Sequence, residues 1–452
     1  MSPSTTDVVA VDPSSAAFKK ARRQYIRTTK NRNQDVDANW TPFRAAEKKF
    51  KARFPPPDLT NVLDLAAEDR SEGGSGGGRA VCIGTLSDGG NVCTVPAVPG
   101  LVLLPSFVSP DGQRALVQWA LRDHARHPNE TNLDAHYILP PEGIWNAHVA
   151  SLSSCPKDAT SLVKTKASTA EGVVSQKNVP SGPRQLISND AAGTDNIYSL
   201  QAIPKPSPEP STTVSDCSPS ELVPKLRWAN IGWSYHWGTK QYDFSKGKGH
   251  VNSRIRDLCR NAVSLVPWDK VFGADSSLEE GWGDNDWRTW SETYEPDAGI
   301  VNFYQTKDTL MAHVDRSEVC ATSPLVSISL GNTAIFLIGG LTRDVEPTPI
   351  LLRSGDVVIM SGPACRRAYH GVPRILESTL PEHFAQSSRP ANDGANPSAS
   401  QTERASATTV ASAWEPYGTY MQNARININV RQVFPKGFVP GTVNPALRIS
   451  NT

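Results

Sequence analysis

Three side chains in the second half of the sequence could bind a metal ion. His313 and Asp315 are separated by a single residue, and His370 follows further along the chain. In an extended segment, a spacing of two residues places both side chains on one face, about 6.6 Å apart. Two histidines and one carboxylate leave coordination positions open, and this is the ligand set of non-haem Fe(II) oxygenases. A His-x-Asp pair also arises by chance, so a partly buried histidine beside an aspartate is the alternative.

A second group of polar side chains lies in the segment Arg425–Arg431, which reads RININVR. Its Arg and Asn residues alternate with Ile and Val without a break, so in a β-strand they share one face. The two arginines would lie roughly 20 Å apart along the strand, which leaves room between them for a small dicarboxylate. A solvated face of an open sheet is the alternative for this segment alone. Together with the candidate metal ligands, the pattern favours a shared polar interior.

The elements that must position these residues are predicted to be β-strands. Short apolar runs, each bounded by Gly, Pro or Asn and too short for a helix, separate the polar segments. They are Leu325–Leu330, Ala334–Ile338, Ile350–Leu352 and Val357–Met360. The pattern predicts a mainly β protein with flanking helices (α+β), whose core is a double-stranded β-helix, or jelly roll, with long disordered insertions.

The motifs resemble those of a known enzyme family. They are Asn302-x-Tyr304, His313-x-Asp315, SxSLGxxAIF at 327–336, GGL at 339–341, SGDVVIMSG at 354–362, His370, and Arg425-x-Asn427-x-x-x-Arg431. This set resembles the AlkB family of Fe(II)- and 2-oxoglutarate-dependent dioxygenases. The stretches HVDRSE at 313–318, MSG at 360–362 and VRQV at 430–433 are most similar to the AlkB homologue 1 branch.

The resemblance implies a reaction and a set of ligands. Fe(II) would be held by His313, Asp315 and His370, with O2 entering the open site and no catalytic side chain needed beyond these. The cosubstrate 2-oxoglutarate would be bound by Asn302, Tyr304, Arg425, Asn427 and Arg431. The implied activity is oxidative demethylation of N-methylated nucleobases in RNA, tRNA included, or in DNA, with release of formaldehyde.

Aromatic residues occupy the place where the AlkB family carries its nucleotide-recognition lid. Trp233 and Tyr235 fall on one face of an extended segment, and Tyr242 follows. Aromatic residues on one strand face usually belong to a core. An enzyme that acts on a nucleobase, however, stacks the base on aromatic rings. We therefore assign Trp233, Tyr235 and Tyr242 to substrate binding.

Two further positions bear on substrate recognition. Arg343 resembles in position an arginine that contacts substrate in bacterial AlkB, and we assign it to phosphate or base; a surface arginine at a hairpin tip is the alternative. Bacterial AlkB carries an acidic, base-reading residue two positions after its metal-binding aspartate. Here that position is Ser317, followed by Glu318, so the preference for methylated adenine or cytosine cannot be transferred.

Charge and composition limit the partners. The net charge is +1, from 46 basic and 45 acidic residues, so contacts with nucleic acid must come from local basic patches. The basic segment Phe18–Lys30 is one candidate, and a solvated basic helix is its alternative. No run approaches 18 apolar residues, so we expect no membrane association. We also expect a monomer.

The seven cysteines form no CxxC pair and are odd in number, which is typical of reduced thiols in an intracellular protein. Nucleus and cytoplasm are the expected locations. The mitochondrion stays open, because Asp7 and Asp12 argue against an acid-poor presequence without excluding one.

The chain is predicted to hold one folded core interrupted by unstructured sequence, given its 36 prolines, 32 glycines and 38% hydrophobic residues. Three segments are predicted to be largely disordered: a basic arm with a Gly-rich linker (1–98), a Ser/Pro-rich insertion (151–224) and an inserted loop (375–424). The ordered parts are an N-terminal strand and helix (99–150), the lid with a supporting helix (225–297) and the jelly-roll core (298–435), followed by a tail (436–452).

Two other functions remain open on the same fold. One is a hydroxylase or demethylase of protein side chains, for example of histones. The other is a non-catalytic nucleic-acid-binding module, which the loss of a metal-binding or arginine residue would favour. None of those residues is missing here.

Overall fold

The computed structural model describes residues 15–29, 39–68, 79–153, 162–169, 191–193, 196–273, 287–385 and 413–434. Thirteen β-strands lie within these ranges. They are β1 Val81–Thr85, β2 Asn91–Thr94, β3 Leu101–Leu104, β4 Trp228–His236, β5 Gln241–Lys248, β6 Ala298–Gln305, β7 Leu310–His313, β8 Leu325–Gly331, β9 Ala334–Ile338, β10 Thr348–Leu352, β11 Val357–Met360, β12 His370–Ile375 and β13 Ala424–Arg431.

The strands form two antiparallel sheets that pack together. The large sheet has the order β1-β2-β3-β11-β8-β13-β6-β4-β5, and the small sheet has the order β10-β9-β12-β7. Leucines of β3 and Met360 of β11 pack against Phe336 and Ile338 of β9 and Ile350 of β10, so apolar side chains of both sheets share one core. The predicted jelly roll with flanking helices is confirmed, and β9 and β11 have the predicted bounds.

Helices cover the outer faces of the sheets. They are α1 Ala16–Thr29, α2 Pro42–Lys51, α3 Leu65–Glu68, α4 Pro110–Gln118, α5 Ile144–Ser153, α6 Lys166–Thr169, α7 Ile197–Ala202, α8 Pro219–Leu222, α9 Ser253–Ser264, α10 Trp268–Phe272, α11 Trp290–Thr293 and α12 Gly362–Arg366. Residues 413–421 are also helical. Shorter turns lie at Trp119–His124 (π) and at Val223–Lys225, Trp287–Thr289 and Glu382–Phe384 (3-10). Among the described residues, no helix has the length and apolarity needed to cross a bilayer.

Side chains cap the N-termini of the two longer helices on the large sheet. The Ser109 hydroxyl accepts a hydrogen bond from the Gly112 amide, and Pro110 follows as the first helical residue of α4. The Asn252 side chain caps α9 in the same way by accepting from the Arg254 amide. Both caps satisfy amides that have no partner within the first turn of a helix. These helices bury their apolar faces against the outer face of β13 and its neighbours.

Ordered structure begins well before Pro99, so the prediction of a largely disordered arm is wrong for the described residues. Helix α2 buries Phe43 and Phe50 against β9 and β10 of the small sheet. The Glu47 carboxylate accepts a hydrogen bond of 2.6 Å from the Ala312 amide in β7. Strands β1 and β2 extend the large sheet. The composition of this segment did not indicate helix α2, because the helix has several exposed lysines and only a few buried apolar residues.

The two predicted insertions are also partly folded. Within 151–224, the structure describes α6, α7 and α8, and Val163 and Cys217 exchange backbone hydrogen bonds in an isolated bridge. Within 375–424, the helix at 413–421 buries Trp414, Tyr417 and Met421. The predictions for 1–14, 30–38, 69–78, 154–161, 170–190, 194–195, 274–286, 386–412 and 435–452 lie outside the described residues.

Replacing Phe43 by alanine tests the attachment of α2. The side chain is 0% exposed, and truncating a buried phenylalanine to alanine costs about 3 to 5 kcal/mol of folding free energy. We expect a decrease of that size in chemical denaturation. Lys49→Ala, on the exposed face of the same helix, should change stability by less than about 0.5 kcal/mol. Equal effects of the two variants would mean that α2 does not pack on the small sheet.

Candidate active site

A cavity of about 560 Å³ opens between the two sheets. The small sheet lines it with residues of β7 and β12, and the large sheet lines it with residues of β6, β8 and β13. The cavity brings together all eight residues predicted to hold iron and 2-oxoglutarate: His313, Asp315, His370, Asn302, Tyr304, Arg425, Asn427 and Arg431. Candidate metal ligands therefore occupy one wall and candidate anion ligands occupy the other.

Strand pairing brings the two histidines together. His313 is the last residue of β7, and His370 is the first residue of β12, directly opposite it in the register. Asp315 follows immediately after β7. One ligand atom from each of the three side chains lies within 4.8 Å of the others, and His313 Nε2 is 3.7 Å from Asp315 Oδ1. This spacing allows all three to bind one ion from the same side.

Backbone contacts fix the orientation of both imidazoles. The Nδ1–H of His313 donates to the Met311 carbonyl, and the Nδ1–H of His370 donates to the Ala368 carbonyl, each at 3.0 Å. Each Nε2 then carries a lone pair that faces the cavity, as metal-binding histidines require. Burial, with His313 nearby, lowers the pKa of His370 to about 4. The His370 ring is therefore neutral, and able to bind a metal, at neutral pH.

An ion-pair network holds the carboxylate ligand. Arg431 Nη1 lies 3.2 Å from Asp315 Oδ2 and 2.5 Å from Glu318 Oε1, and Glu318 also accepts a hydrogen bond from the Tyr242 hydroxyl at 3.3 Å. Burial favours the neutral form of Asp315, but Arg431 and the two imidazoles outweigh it and hold the pKa of that carboxyl well below its usual range. Asp315 is therefore an anionic ligand whose second oxygen is already engaged.

Four of the five candidate 2-oxoglutarate residues form two directly opposed pairs. In the antiparallel register of β13 and β6, Arg425 faces Tyr304 and Asn427 faces Asn302. Burial raises the pKa of Tyr304 to about 12, so its hydroxyl keeps its proton and can donate to an anion. On the opposite face, Ile426 and its apolar neighbours pack into the core beneath the helices. The alternation seen in the sequence thus separates a polar face from an apolar one, as predicted.

Arg425 is a buried cation without a carboxylate partner. It is 2% exposed and donates only to the Asn332 and Leu352 carbonyls and the Ser329 hydroxyl. Among the described residues, no carboxylate lies within 4.0 Å of its guanidinium. Burial lowers its pKa only to about 10, so it stays charged. An unpaired buried charge is costly, and a carboxylate of a bound ligand would compensate it.

The two arginines, both predicted to bind the cosubstrate, differ in their partners. Arg431 already has two carboxylate partners, whereas Arg425 has none within ion-pair distance in the described part of the chain. Arg431 Nε has no partner among the described residues, so it is still able to donate to a ligand. The donor set fits Fe(II) and a dicarboxylate, and Arg425 is the candidate for the distal carboxylate.

The aromatic residues assigned to substrate separate into two groups. Tyr235 and Tyr242 line the cavity, although Tyr242 is only 3% exposed. Trp233 does not line it and packs against Phe244 and Phe434 instead, so the structure does not bring it to the cavity and its assignment to substrate binding stays a prediction.

Trp233 and Tyr235 lie two residues apart on β4 and pack against the same apolar cluster. Gly232, just before Trp233, has φ +63°, and a Cβ there would lie 2.1 Å from the Asp297 carbonyl, so only glycine fits. The register with β5 shifts between Trp233 and Ser234, with the extra residues in β5. The lining of the cavity includes Tyr235 and does not extend to Trp233.

Arg343 lines the cavity from the loop after β9. Its guanidinium lies over the Tyr369 ring, 5.1 Å from the centroid, and donates to the Ala312 carbonyl at 3.1 Å. It therefore lies at the rim next to β7, and its assignment to substrate stays a prediction. Ser317 is partly buried and donates to the Lys240 carbonyl, whereas Glu318 is 1% exposed and bound to Arg431.

Comparison with known proteins identifies the family. The sequence pattern of the 2OG-Fe(II) oxygenase superfamily matches residues 184–431, more than half of the chain. The chain belongs to this superfamily.

Within the superfamily, the chain is similar to proteins of the AlkB homologue 1 type. It is 26% identical to the DNA N(6)-methyladenine demethylase ALKBH1A of Arabidopsis thaliana, over 89% of this chain and 99% of that protein. It is 27% identical to the tRNA demethylase abh1 of Schizosaccharomyces pombe, over 87% and 96%. The human nucleic acid dioxygenase ALKBH1 is 35% identical over 48% of each chain. These matches confirm the resemblance to the AlkB family and its homologue 1 branch.

Sequence reasoning missed several residues of this 2OG-Fe(II) oxygenase site. Helix α7, in the insertion predicted to be disordered, lines the cavity with Ile197, Leu200 and Gln201, and β5 adds Gln241. Glu318 was noted only as a neighbour of Ser317. It forms an ion pair with Arg431, which is far away in the chain. The spacing of neighbouring residues therefore could not predict this contact. Trp237 also lines the cavity. It lies two residues after Tyr235, so the same alternation of strand side chains could have identified it.

Replacing Glu318 by alanine tests its support of the metal ligands. Without Glu318, Arg431 loses one of its two anionic partners and pulls more strongly on Asp315. We expect Fe(II) affinity to fall roughly 10- to 100-fold, the usual effect of removing a residue that orients a metal ligand. Anaerobic titration with Fe(II), or with Co(II) followed by absorbance, measures it. Glu346→Ala, an exposed acidic residue, is the control, and unchanged affinity in the Glu318 variant would contradict the support role.

Proposed function

We propose that this chain is an Fe(II)- and 2-oxoglutarate-dependent dioxygenase that oxidatively removes N-linked methyl groups from bases of RNA, tRNA included, or DNA, and releases formaldehyde. The observation that carries the proposal is that one cavity holds both the His313, Asp315 and His370 ligand set and the unpaired guanidinium of Arg425. The demethylase and nucleic acid dioxygenase names of the relatives support nucleic acid as the substrate class.

The chain's own residues bind and orient. His313, Asp315 and His370 would hold Fe(II) from one side and leave the opposite positions open. Arg425, with the Tyr304 hydroxyl beside it, would bind the distal carboxylate of 2-oxoglutarate by charge-assisted hydrogen bonds. When bound, iron and 2-oxoglutarate supply the oxidising power that hydroxylates a C–H bond, with succinate and carbon dioxide as products. Apolar residues such as Phe336 and Leu352 line the same space and exclude water.

The reacting methyl group must enter the cavity on an extruded or unpaired base, because the ligands lie between the two sheets. Tyr235 and Trp237 offer aromatic surface in the lining of that cavity. A hydroxylated N-methyl group is a hemiaminal, which breaks down to formaldehyde and the unmodified amine. No side chain needs to act as a nucleophile in this reaction.

A basic surface beside the cavity suits a phosphate backbone. Helix α1 carries five exposed basic residues and no acidic one: Lys19, Lys20, Arg22, Arg23 and Arg27. Phe18 and Tyr25 pack edge-on against Phe54, just beyond α2, and so attach α1 to the body. Arg53 donates to the Thr306 carbonyl in the loop that leads to β7. The basic surface thus adjoins the strand that carries His313.

The proposed activity is tested with a panel of methylated tRNA, RNA and DNA oligonucleotides, supplied with Fe(II), ascorbate and 2-oxoglutarate. We expect loss of 14 Da per methyl group by mass spectrometry, together with equimolar formaldehyde and succinate. His313→Ala should abolish both products, because one metal ligand is lost. Arg425→Ala should keep metal affinity and raise the KM for 2-oxoglutarate roughly tenfold or more, because a hydrogen-bonded charge is lost.

Two outcomes would reject the proposal. Succinate formation that responds to methylated or unmodified peptides but not to oligonucleotides would indicate a protein hydroxylase or demethylase. Oligonucleotide binding without any turnover of 2-oxoglutarate in the iron-loaded protein would indicate a binding module.

The salt dependence of binding tests the surface on α1. Replacing Lys19, Lys20 and Arg22 by alanine should weaken oligonucleotide binding for all sequences alike. The slope of log K against log salt concentration should fall by about two to three, since each phosphate contact contributes about 0.7 to 0.9. Fluorescence anisotropy at several salt concentrations measures both. The control is a double alanine variant of Arg256 and Arg260. Both arginines lie on α9 and form ion pairs with Glu295. An unaltered slope in the α1 variant would exclude this surface.

A further inference from the structure

Two cysteine side chains face each other across the outer hairpin of the large sheet. Cys82 in β1 and Cys93 in β2 are directly opposite in the antiparallel register. Their Sγ atoms lie 3.0 Å apart, at hydrogen-bonding distance for two thiols. Opposed residues of antiparallel strands have Cβ atoms about 4.5 to 5.5 Å apart, and a disulfide joins Cβ atoms about 3.5 to 4.5 Å apart. A bond between the two sulfurs therefore requires only a small movement of the side chains.

The surrounding structure keeps the two strands of this hairpin in place. Strand β2 also pairs with β3, where Cys93 is opposite Leu103. Strand β1 has a bulge at Ile83, and the Ile83 carbonyl accepts a hydrogen bond of 2.8 Å from Lys270 Nζ in α10. Because β1 is the outermost strand of the sheet, β2 is its only neighbour among the described strands. A covalent bond between the two cysteines would therefore fasten the edge strand to the rest of the sheet.

The two thiols differ in their accessibility to a reagent. Cys82 is exposed, whereas Cys93 is 2% exposed. All other cysteines in the described part of the chain are buried, and burial raises the pKa of Cys365 to about 12. A cysteine reacts as a thiolate, and only where a reagent can reach it. An external oxidant would therefore meet Cys82 first, with Cys93 in contact behind it.

We propose that Cys82 and Cys93 form a modification site, which a low-molecular-weight disulfide oxidises reversibly to a disulfide across the hairpin. The Cys82 thiolate attacks one sulfur of the oxidant, glutathione disulfide for example, and expels one thiolate. The Cys93 thiolate then attacks Cys82 Sγ in this mixed disulfide and expels the second thiolate. The pair loses two protons and two electrons, and the oxidant is reduced to two thiols. This inference does not depend on the proposed function.

The experiment measures how strongly the fold favours this bond. The full chain is equilibrated with mixtures of reduced and oxidised glutathione, quenched with acid and N-ethylmaleimide, and digested with trypsin. No Lys or Arg lies between Arg79 and Arg114, so both cysteines fall on one peptide, 80–114. The disulfide form of this peptide carries no maleimide and is about 2 Da lighter than the unlabelled dithiol, because two hydrogens are lost. Mass spectrometry therefore gives the oxidised fraction at this site alone.

The oxidised fraction gives the effective concentration of one thiol at the other. In the chain unfolded in urea, a short flexible linker sets this value in the millimolar range, on the order of 1 to 10 mM. We expect a value about tenfold or more higher in the folded chain, and full return to the dithiol with excess dithiothreitol. Equal values in the folded and unfolded chain would overturn the inference, because the fold would then contribute nothing to the bond.

A matched variant moves the second thiol to the other face of β2. It combines Cys93→Ser with Thr94→Cys, which lengthens the loop by one residue, so the unfolded variant should oxidise as readily as the unfolded wild type. Neighbouring residues of a strand point to opposite faces, and we therefore expect the folded variant to have an effective concentration about tenfold or more below that of the folded wild type. Cooperative unfolding in urea confirms that the variant is folded. Equal oxidation of the two folded proteins would refute the site.

Single variants separate the thiol that reacts first from the second one. Cys93→Ser should keep glutathione as a stable adduct on Cys82, because no second thiol displaces it. Cys82→Ser should form about tenfold less adduct, because Cys93 is buried. Equal adducts in the two variants would contradict the order of attack. A wild-type peptide 80–114 joined to another cysteine peptide, rather than closed on itself, would overturn the inference.

Discussion

The burial of two guanidinium groups on the inner face of β13 is the constraint on which the rest of the cavity depends. Arg425 and Arg431 are 2% and 5% exposed, and a cation removed from water needs a compensating anion or a dense set of acceptors. Arg431 meets this need with Asp315 and Glu318, and so couples the large sheet to the metal ligands of the small sheet. Among the described residues, the hydrogen bonds of Arg425 go to neutral acceptors, and the Asp356 carboxylate acts on it only from beyond ion-pair distance. The Arg425 end of the cavity is therefore less compensated than the Arg431 end, and a carboxylate of a ligand would complete it.

Those parts of the fold that follow strict local periodicity were predictable. The alternation along β13 and the short apolar runs of β9 and β11 report burial directly, because each strand side chain faces one of two environments. The elements missed were short amphipathic helices inside polar segments. Helix α2 and the helix at 413–421 each bury only a few aromatic or apolar residues, and averages over long polar windows conceal them.

The site was predictable where residue type alone restricts the chemistry and less so where geometry decides. Two histidines and an aspartate met as expected, because their strands pair in register. Trp233 and Tyr235 have the same parity in the sequence and pack against one cluster, yet Tyr235 lines the cavity and Trp233 does not. Glu318 depends on a partner more than a hundred residues away, and Gln201 depends on the docking of a segment whose composition suggested no structure.

The contact between Glu47 and the Ala312 amide has a practical meaning for work with shortened versions of the protein. Ala312 immediately precedes His313, and its amide is buried under α2. A fragment that starts at the apparent domain boundary near Pro99 would lack this carboxylate and the two phenylalanines beside it. Its edge strand would then expose an unsatisfied donor and an apolar face next to the first histidine. Inactivity of such a fragment would therefore reflect the loss of these contacts and would not report on the chemistry of the intact enzyme.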